Sequence, residues 1–130
     1  MEVRSYQQLK VWQVGMQLVR AVYLLSDQFP KHEQYGLTSQ IRRAAVSVPA
    51  NIAEGHARDS TKEFLHHVSI AQGSLAEVET MIILAEDLGY CTRTKTNELL
   101  QQCAEEGRML RGLQKTLKLR TRSRPLPPSP

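Results

Sequence analysis

Residues 60–89 read STKEFLHHVSIAQGSLAEVETMIILAEDLG, and this stretch decides the fold. Ser60-Thr61-Lys62-Glu63 fits a capping box, in which a serine hydroxyl and a glutamate three residues later satisfy each other's orphan amides at a helix start. From Phe64 onward, Val68, Ala71, Leu75, Val78, Ile82 and Ala85 recur in alternating steps of four and three, the spacing of a seam that faces a neighbouring helix. A second row, Ile70, Ser74, Glu77, Met81, Leu84 and Leu88, keeps the same steps on an adjacent face, so this helix expects two partners. Gly89 is the expected residue just past its end, where a left-handed backbone closes the last turn.

Three further helices flank this one. A helix from about Ser5 to Gln28 carries two apolar rows, Leu9-Trp12-Met16-Val19-Tyr23 and Val11-Val14-Leu18-Val22-Leu25, and Pro30 stops it. The next, from about Glu33 to Arg58, places Leu37, Ile41, Ala44, Ala45, Val48 and Ile52 on one face. Pro49 lies inside it and removes one backbone hydrogen bond, so a kink or local break is expected there. The last begins near Thr92 or Thr94, turns Leu99, Cys103, Leu110, Leu113 and Leu117 inward, and ends around Leu119. No period-two run of β-branched residues suggests a strand, and the short linkers favour antiparallel neighbours. The expected fold is all-α, an antiparallel up-down-up-down four-helix bundle over residues 1–119. An Arg/Pro-rich segment, residues 120–130, is expected to be a flexible tail.

With 130 residues, 41% of them hydrophobic and 23% charged, the chain suits one soluble domain. No uninterrupted apolar run approaches the roughly 20 residues that span a bilayer, and no signal core opens the chain, so the expected location is the cytoplasm, with no membrane partner. Cys91 and Cys103 form no CxxC pair and read as reduced bundle residues. The charge is more informative in its placement than in its total of +4. From Gly107 onward there are seven basic residues and no acid, whereas the rest of the chain holds ten basic against thirteen acidic residues. One end of the molecule is therefore basic, which points to an anionic partner there.

A catalytic centre needs groups that converge, and the candidates fail in turn. The seven glycines form neither GxGxxG nor a phosphate-binding loop. His32, His56, His66 and His67 build no HExxH pair, and His67, four residues after Glu63, reads as a solvated pair with it rather than as a metal ligand. Ser47 and Ser74 have no histidine at a spacing that would mark a triad. Acidic neighbours such as Glu77 and Glu79, or Glu105 and Glu106, read as surface charge. The expectation is a protein that is not an enzyme, with no cofactor, metal or small-molecule substrate.

Two constellations remain. In the second helix Gln40, Arg43, Ser47, Asn51, Glu54 and Arg58 form a polar stripe at steps of three and four. A solvated face would more naturally hold Lys and Glu, so the stripe reads as a recognition or subunit contact, together with Ile70, Ser74, Glu77 and Met81 of the third helix's second row. In the fourth helix Arg108, Arg111, Lys115 and Lys118, continued by Arg122, form a rail of positive charge opposite the leucines. Such a rail can neutralise several phosphates of RNA or DNA. It is equally what a solvated helix end looks like, since cations there favour the helix dipole. No aromatic side chains for base stacking lie near it, which argues against sequence-specific readout of single strands.

Trp12-Gln13, the block from Gly36 to Ala44, Ser47-Val48-Pro49-Ala50-Asn51-Ile52-Ala53-Glu54-Gly55, Ala71-Gln72-Gly73-Ser74-Leu75 and Leu88-Gly89-Tyr90 together resemble the four-helix bundle family of 23S rRNA intervening-sequence proteins. The resemblance runs from about Ser5 to Leu119. It implies a cytosolic bacterial bundle that assembles into a ring-like homopentamer, and it implies no particular activity. The family is also similar to the accessory variability proteins of diversity-generating retroelements, whose pentamers bind a reverse transcriptase and nucleic acid through basic surfaces. The basic fourth helix agrees with that picture, whereas the net acidic remainder departs from it. The leading expectation is an oligomeric scaffold that binds RNA or DNA through the rail. Its rival is an adaptor that docks a partner protein such as a reverse transcriptase.

Overall fold

The computed structural model describes residues 5–122, and among them every regular element is helical. Four α-helices follow one another: α1 Lys10–Ser26, α2 Leu37–Ala57, α3 Thr61–Asp87 and α4 Arg93–Arg122. They enclose one core, to which all four contribute: Leu18 and Val22 from α1, Ile41 and Val48 from α2, Val68, Val78 and Ile82 from α3, and Leu110 and Leu117 from α4 are almost or wholly excluded from solvent. The fold is the expected four-helix bundle.

Contacts along successive helices run in opposite numerical order. Between α1 and α2, Arg42 reaches Ser26 and Asp27 while Gly15 faces Pro49. Between α2 and α3, Ser47 meets Ser74, Asn51 meets His67, and Gly55 lies against Phe64. Between α3 and α4, Gln72 meets Gln114 and Glu86 meets Arg93. By length and composition α3 is apolar enough to cross a bilayer, yet it packs between α2 and α4 as a core helix does. Its surplus of apolar surface leaves Ile70, Ile83, Leu84 and Leu88 exposed on the outside.

Helix ends follow local chemistry closely where the signal is local. Ser60 Oγ accepts the Glu63 amide at 3.1 Å, which is one half of the expected capping box; the reciprocal bond from Glu63 is not made. Gly89 has φ of 78°, and the amides of Gly89 and Tyr90 close onto the carbonyls of Glu86 and Ala85 in a Schellman arrangement. Thr92 Oγ1 accepts the Lys95 amide and starts α4, which runs to Arg122, past the expected end at Leu119; residues 123–130 of the expected tail lie outside the described residues.

The starts of α1 and α2 differ from expectation. Leu9 adopts an extended conformation, so residues Tyr6–Gln8 form a separate 3₁₀ turn capped by Ser5, and α1 begins only at Lys10. Glu33 does not begin α2 but caps it from a preceding turn, because its Oε1 accepts the Leu37 amide at 3.1 Å. Its other oxygen accepts from the Tyr90 hydroxyl at 2.8 Å, and the Tyr90 ring packs tilted against Phe29, so the α1–α2 and α3–α4 connections are tied together. The Leu37 amide, and then Tyr90, hold the Glu33 carboxyl below its ordinary range. α2 continues as helix through Pro49, whose missing amide leaves the buried Ala45 carbonyl without its helical donor.

Two glycines with open space around them give substitutions of opposite sign. Gly73 lies inside α3 and a Cβ there would touch nothing, so Gly73→Ala is expected to stabilise the bundle by about 0.5–1 kcal/mol. Gly89 is equally open but left-handed, so Gly89→Ala is expected to destabilise it by about 1–2 kcal/mol. Urea titrations of the two variants with unchanged slopes check both signs.

Candidate functional site

The basic rail is a product of α4's periodicity. Leu110 and Leu117 turn inward, and the opposite face carries Arg108, Arg111, Lys115, Lys118 and Arg122, all exposed. Arg111, Lys115, Lys118 and Arg122, with Gln114 and Leu119, line a shallow groove of about 250 Å³, and Arg108 lies outside it. Among the described residues none of the five makes an ion pair. At the rise of an α-helix the rail from Arg108 to Arg122 spans about 21 Å. Five unneutralised like charges on one face repel one another, and this repulsion falls when an anion lies along them.

The polar stripe of α2 has a different fate. Ser47 Oγ lies 2.8 Å from Ser74 Oγ, and Asn51 Nδ2 donates to the Ser47 carbonyl at 2.9 Å and to its hydroxyl at 3.0 Å. Asn51 Oδ1 accepts from His67 Nδ1 at 3.0 Å, and Glu54 Oε2 lies 3.9 Å from the same nitrogen. Arg58 donates to Glu54 at 2.7 Å, and this bond first, then His67, holds the Glu54 carboxyl below its ordinary range. Ser47, Asn51, Ser74 and Glu54 are thus joined in a relay between α2 and α3 within one chain. Gln40 and Arg43 remain exposed and line a groove of about 560 Å³ with Tyr35, Ser39, Ser47, Ser74 and Glu77. Met81 is buried in the core, whereas Ile70 and Glu77 of the same row are exposed.

Three side chains escaped the sequence reading. His67 is not a solvated partner of Glu63; it turns to Asn51 on α2, a contact set by the α2–α3 register, which no spacing within one helix reveals. Arg42, beside the expected Arg43, closes the end of α1: its Nε donates to Ser26 Oγ at 2.7 Å, its Nη2 to Asp27 at 2.8 Å, and its guanidinium lies over the Tyr23 ring. Glu106 is not surface charge. It is 0% exposed, and neither carboxyl oxygen has a hydrogen-bond partner among the described residues. A Cβ on Gly15 would come within 2.6 Å of its Oε2, so any side chain there would force the carboxyl to shift. Burial, and then the charge of Glu105, push the Glu106 carboxyl up to about 8; burial likewise pushes the Cys103 thiol up to about 12. A signal was present, because Leu99, Cys103, Glu106, Leu110, Leu113 and Leu117 keep unbroken steps of four and three.

These features define an all-α protein, a four-helix bundle with a basic outer face on its last helix. Residues 7–112 match the family model described as 23S rRNA-intervening sequence protein, and the chain belongs to that family. No curated protein matches the chain. A solved structure of a protein of unknown function from the S23 ribosomal protein family of Bacteroides thetaiotaomicron has a similar fold, with a TM-score of 0.75 at 22% identity. The match covers 81% of this chain and 98% of that one.

The α2–α3 relay is expected to act as a unit. A double-mutant cycle on Asn51→Ala and His67→Ala, read by urea unfolding, is expected to return a coupling of about 0.5–3 kcal/mol; additive losses would show that the two side chains do not cooperate.

Proposed function

We propose that the chain is a non-enzymatic, homopentameric scaffold of the bacterial cytoplasm that binds RNA or DNA through the basic face of α4. The observation that carries this reading is the set of five exposed cations, Arg108, Arg111, Lys115, Lys118 and Arg122, none of which is neutralised by an acidic side chain among the described residues. Phosphates supply the missing counter-charge, and the release of condensed ions drives the association. The absence of acids from residue 107 onward keeps the field of one sign along that end. Aromatic side chains that stack on bases are not among the groove residues, so recognition works through charge and shape. The exposed apolar residues Ile70, Ile83 and Leu84 of α3 with Leu88 at its end, and the groove around Gln40, Arg43 and Glu77, supply surface for neighbouring copies.

One observation favours a second reading, an adaptor that docks a partner protein such as a reverse transcriptase. Between α1 and α4 a mostly apolar groove of about 680 Å³ is lined by Ala21, Leu24, Leu25, Leu99 and Gln102 among others, and Leu24 is 70% exposed. A protein partner is held by such apolar surface and responds little to salt.

Salt separates the two readings. With four or five phosphate contacts, the logarithm of the affinity for duplex DNA or RNA is expected to fall against the logarithm of salt concentration with a slope of about −4. Arg111→Ala with Lys115→Ala is expected to reduce that slope by about 2 and to weaken binding without regard to sequence. A slope near zero, or unchanged affinity in the double variant, removes nucleic-acid binding through α4. Sedimentation of the purified protein tests the pentamer, and a monomer at micromolar concentration removes it.

A further inference from the structure

We infer that Glu106 and the notch at Gly15 form a proton-operated latch on the α1–α4 seam, which stays closed while the carboxyl is neutral and opens when it ionises. The geometry leaves no other way to hold a charge there. Glu106 is 0% exposed and its two oxygens have no hydrogen-bond partner among the described residues. Oε2 sits in the space of the side chain that Gly15 lacks, and Pro49 Cβ closes the same notch at 3.5 Å from that point. A buried carboxylate without a protein donor or cation is far costlier than a neutral carboxyl.

Among the described residues no neighbouring helix supplies the carboxyl with a partner. α1 presents Gly15 and α2 presents Pro49, neither of which is charged. On α4 the neighbours are the Cys103 thiol, itself held neutral, and the acidic Glu105. The α3 side brings Glu79, whose charge acts on Cys103. Arg108 is exposed on α4, and Arg111 lines the α3–α4 groove with Glu79 and Cys103, its guanidinium beside Gly107; neither donates to Glu106. The nearest open surface on this seam is the groove between α1 and α4 that Gln102, one turn before Glu106, lines. An ionised Glu106 reaches water by parting the seam toward that groove.

The sign follows from the raised carboxyl. Its value goes from the ordinary 4.5 to about 8 in the closed bundle, so the stabilisation is complete below about 4.5 and is lost as pH rises through 8. In that window the closed state holds one proton that the open state releases, and the opening constant rises by about tenfold per pH unit.

Amide exchange on the intact chain, corrected for intrinsic base catalysis, tests the latch between pH 5 and 9. Protection around Gly15 in α1 and Glu106 in α4 is expected to fall steeply as pH rises toward 8, while amides along the α2–α3 seam keep theirs. Glu106→Gln is expected to abolish the pH dependence and leave the α4 rail untouched. Where that variant does not fold, the titration of the Glu106 carboxyl carbon in the wild-type chain decides by itself: a midpoint near 8 supports the latch. A midpoint near 4.5, a wild-type profile matching that of Glu106→Gln, or loss of protection spread evenly over all four helices overturns it.

Discussion

The bundle depends on α3 burying apolar surface toward two neighbours at once. Its inner seam of Val68, Ala71, Leu75, Val78, Ile82 and Ala85 is sealed, and Met81 and Ser74 extend the buried surface beyond that seam. The other helices arrange themselves around this one, α2 along one flank and α4 along the other, and α1 closes the core from the far side. Hydrophobic burial holds such an assembly together but is indifferent to small slips between helices.

Polar contacts supply the directional part. Ser47 with Ser74 and Asn51 with His67 lock α2 against α3 at two heights, while Arg42 fixes the end of α1 to the first turns of α2. Each of these bonds lies at the border of the core, where a one-turn slip would strand a donor or an acceptor away from water. The stripe on α2 therefore serves the chain's own register through Ser47 and Asn51, while Gln40, Arg43, Glu54 and Arg58 are exposed. Glu106 is the exception to this satisfied pattern, a wholly buried polar group whose oxygens have no partner among the described residues.

What could be read from one dimension was what one helix determines by itself. The ends of α3 were legible because Ser60 and Gly89 act within a single turn, and the rail of α4 was legible because its residues share a face whatever the neighbours do. The starts of α1 and α2 were not, since Leu9 turns extended and Glu33 caps the Leu37 amide from a separate 3₁₀ turn, its other oxygen held by Tyr90 from a second loop. His67 was hidden for the same reason: its partner is on another helix. Glu106 differs, because the spacing placed it among the inward leucines, and the usual aversion of carboxylates to burial argued the other way. Position proved the better guide than residue type.

The two ends of the molecule are unlike, and the link from Tyr90 to Glu33 explains why. It turns two separate connections into one stapled lid, so lengthening either of them would have to be absorbed by both. At the opposite pole the turn between α2 and α3 spans only residues 58–60, and among the described residues no side-chain bond ties that turn to another connection. Tolerance of insertions and of added sequence is thereby displaced to one pole of the barrel, the pole that also carries the positive charge.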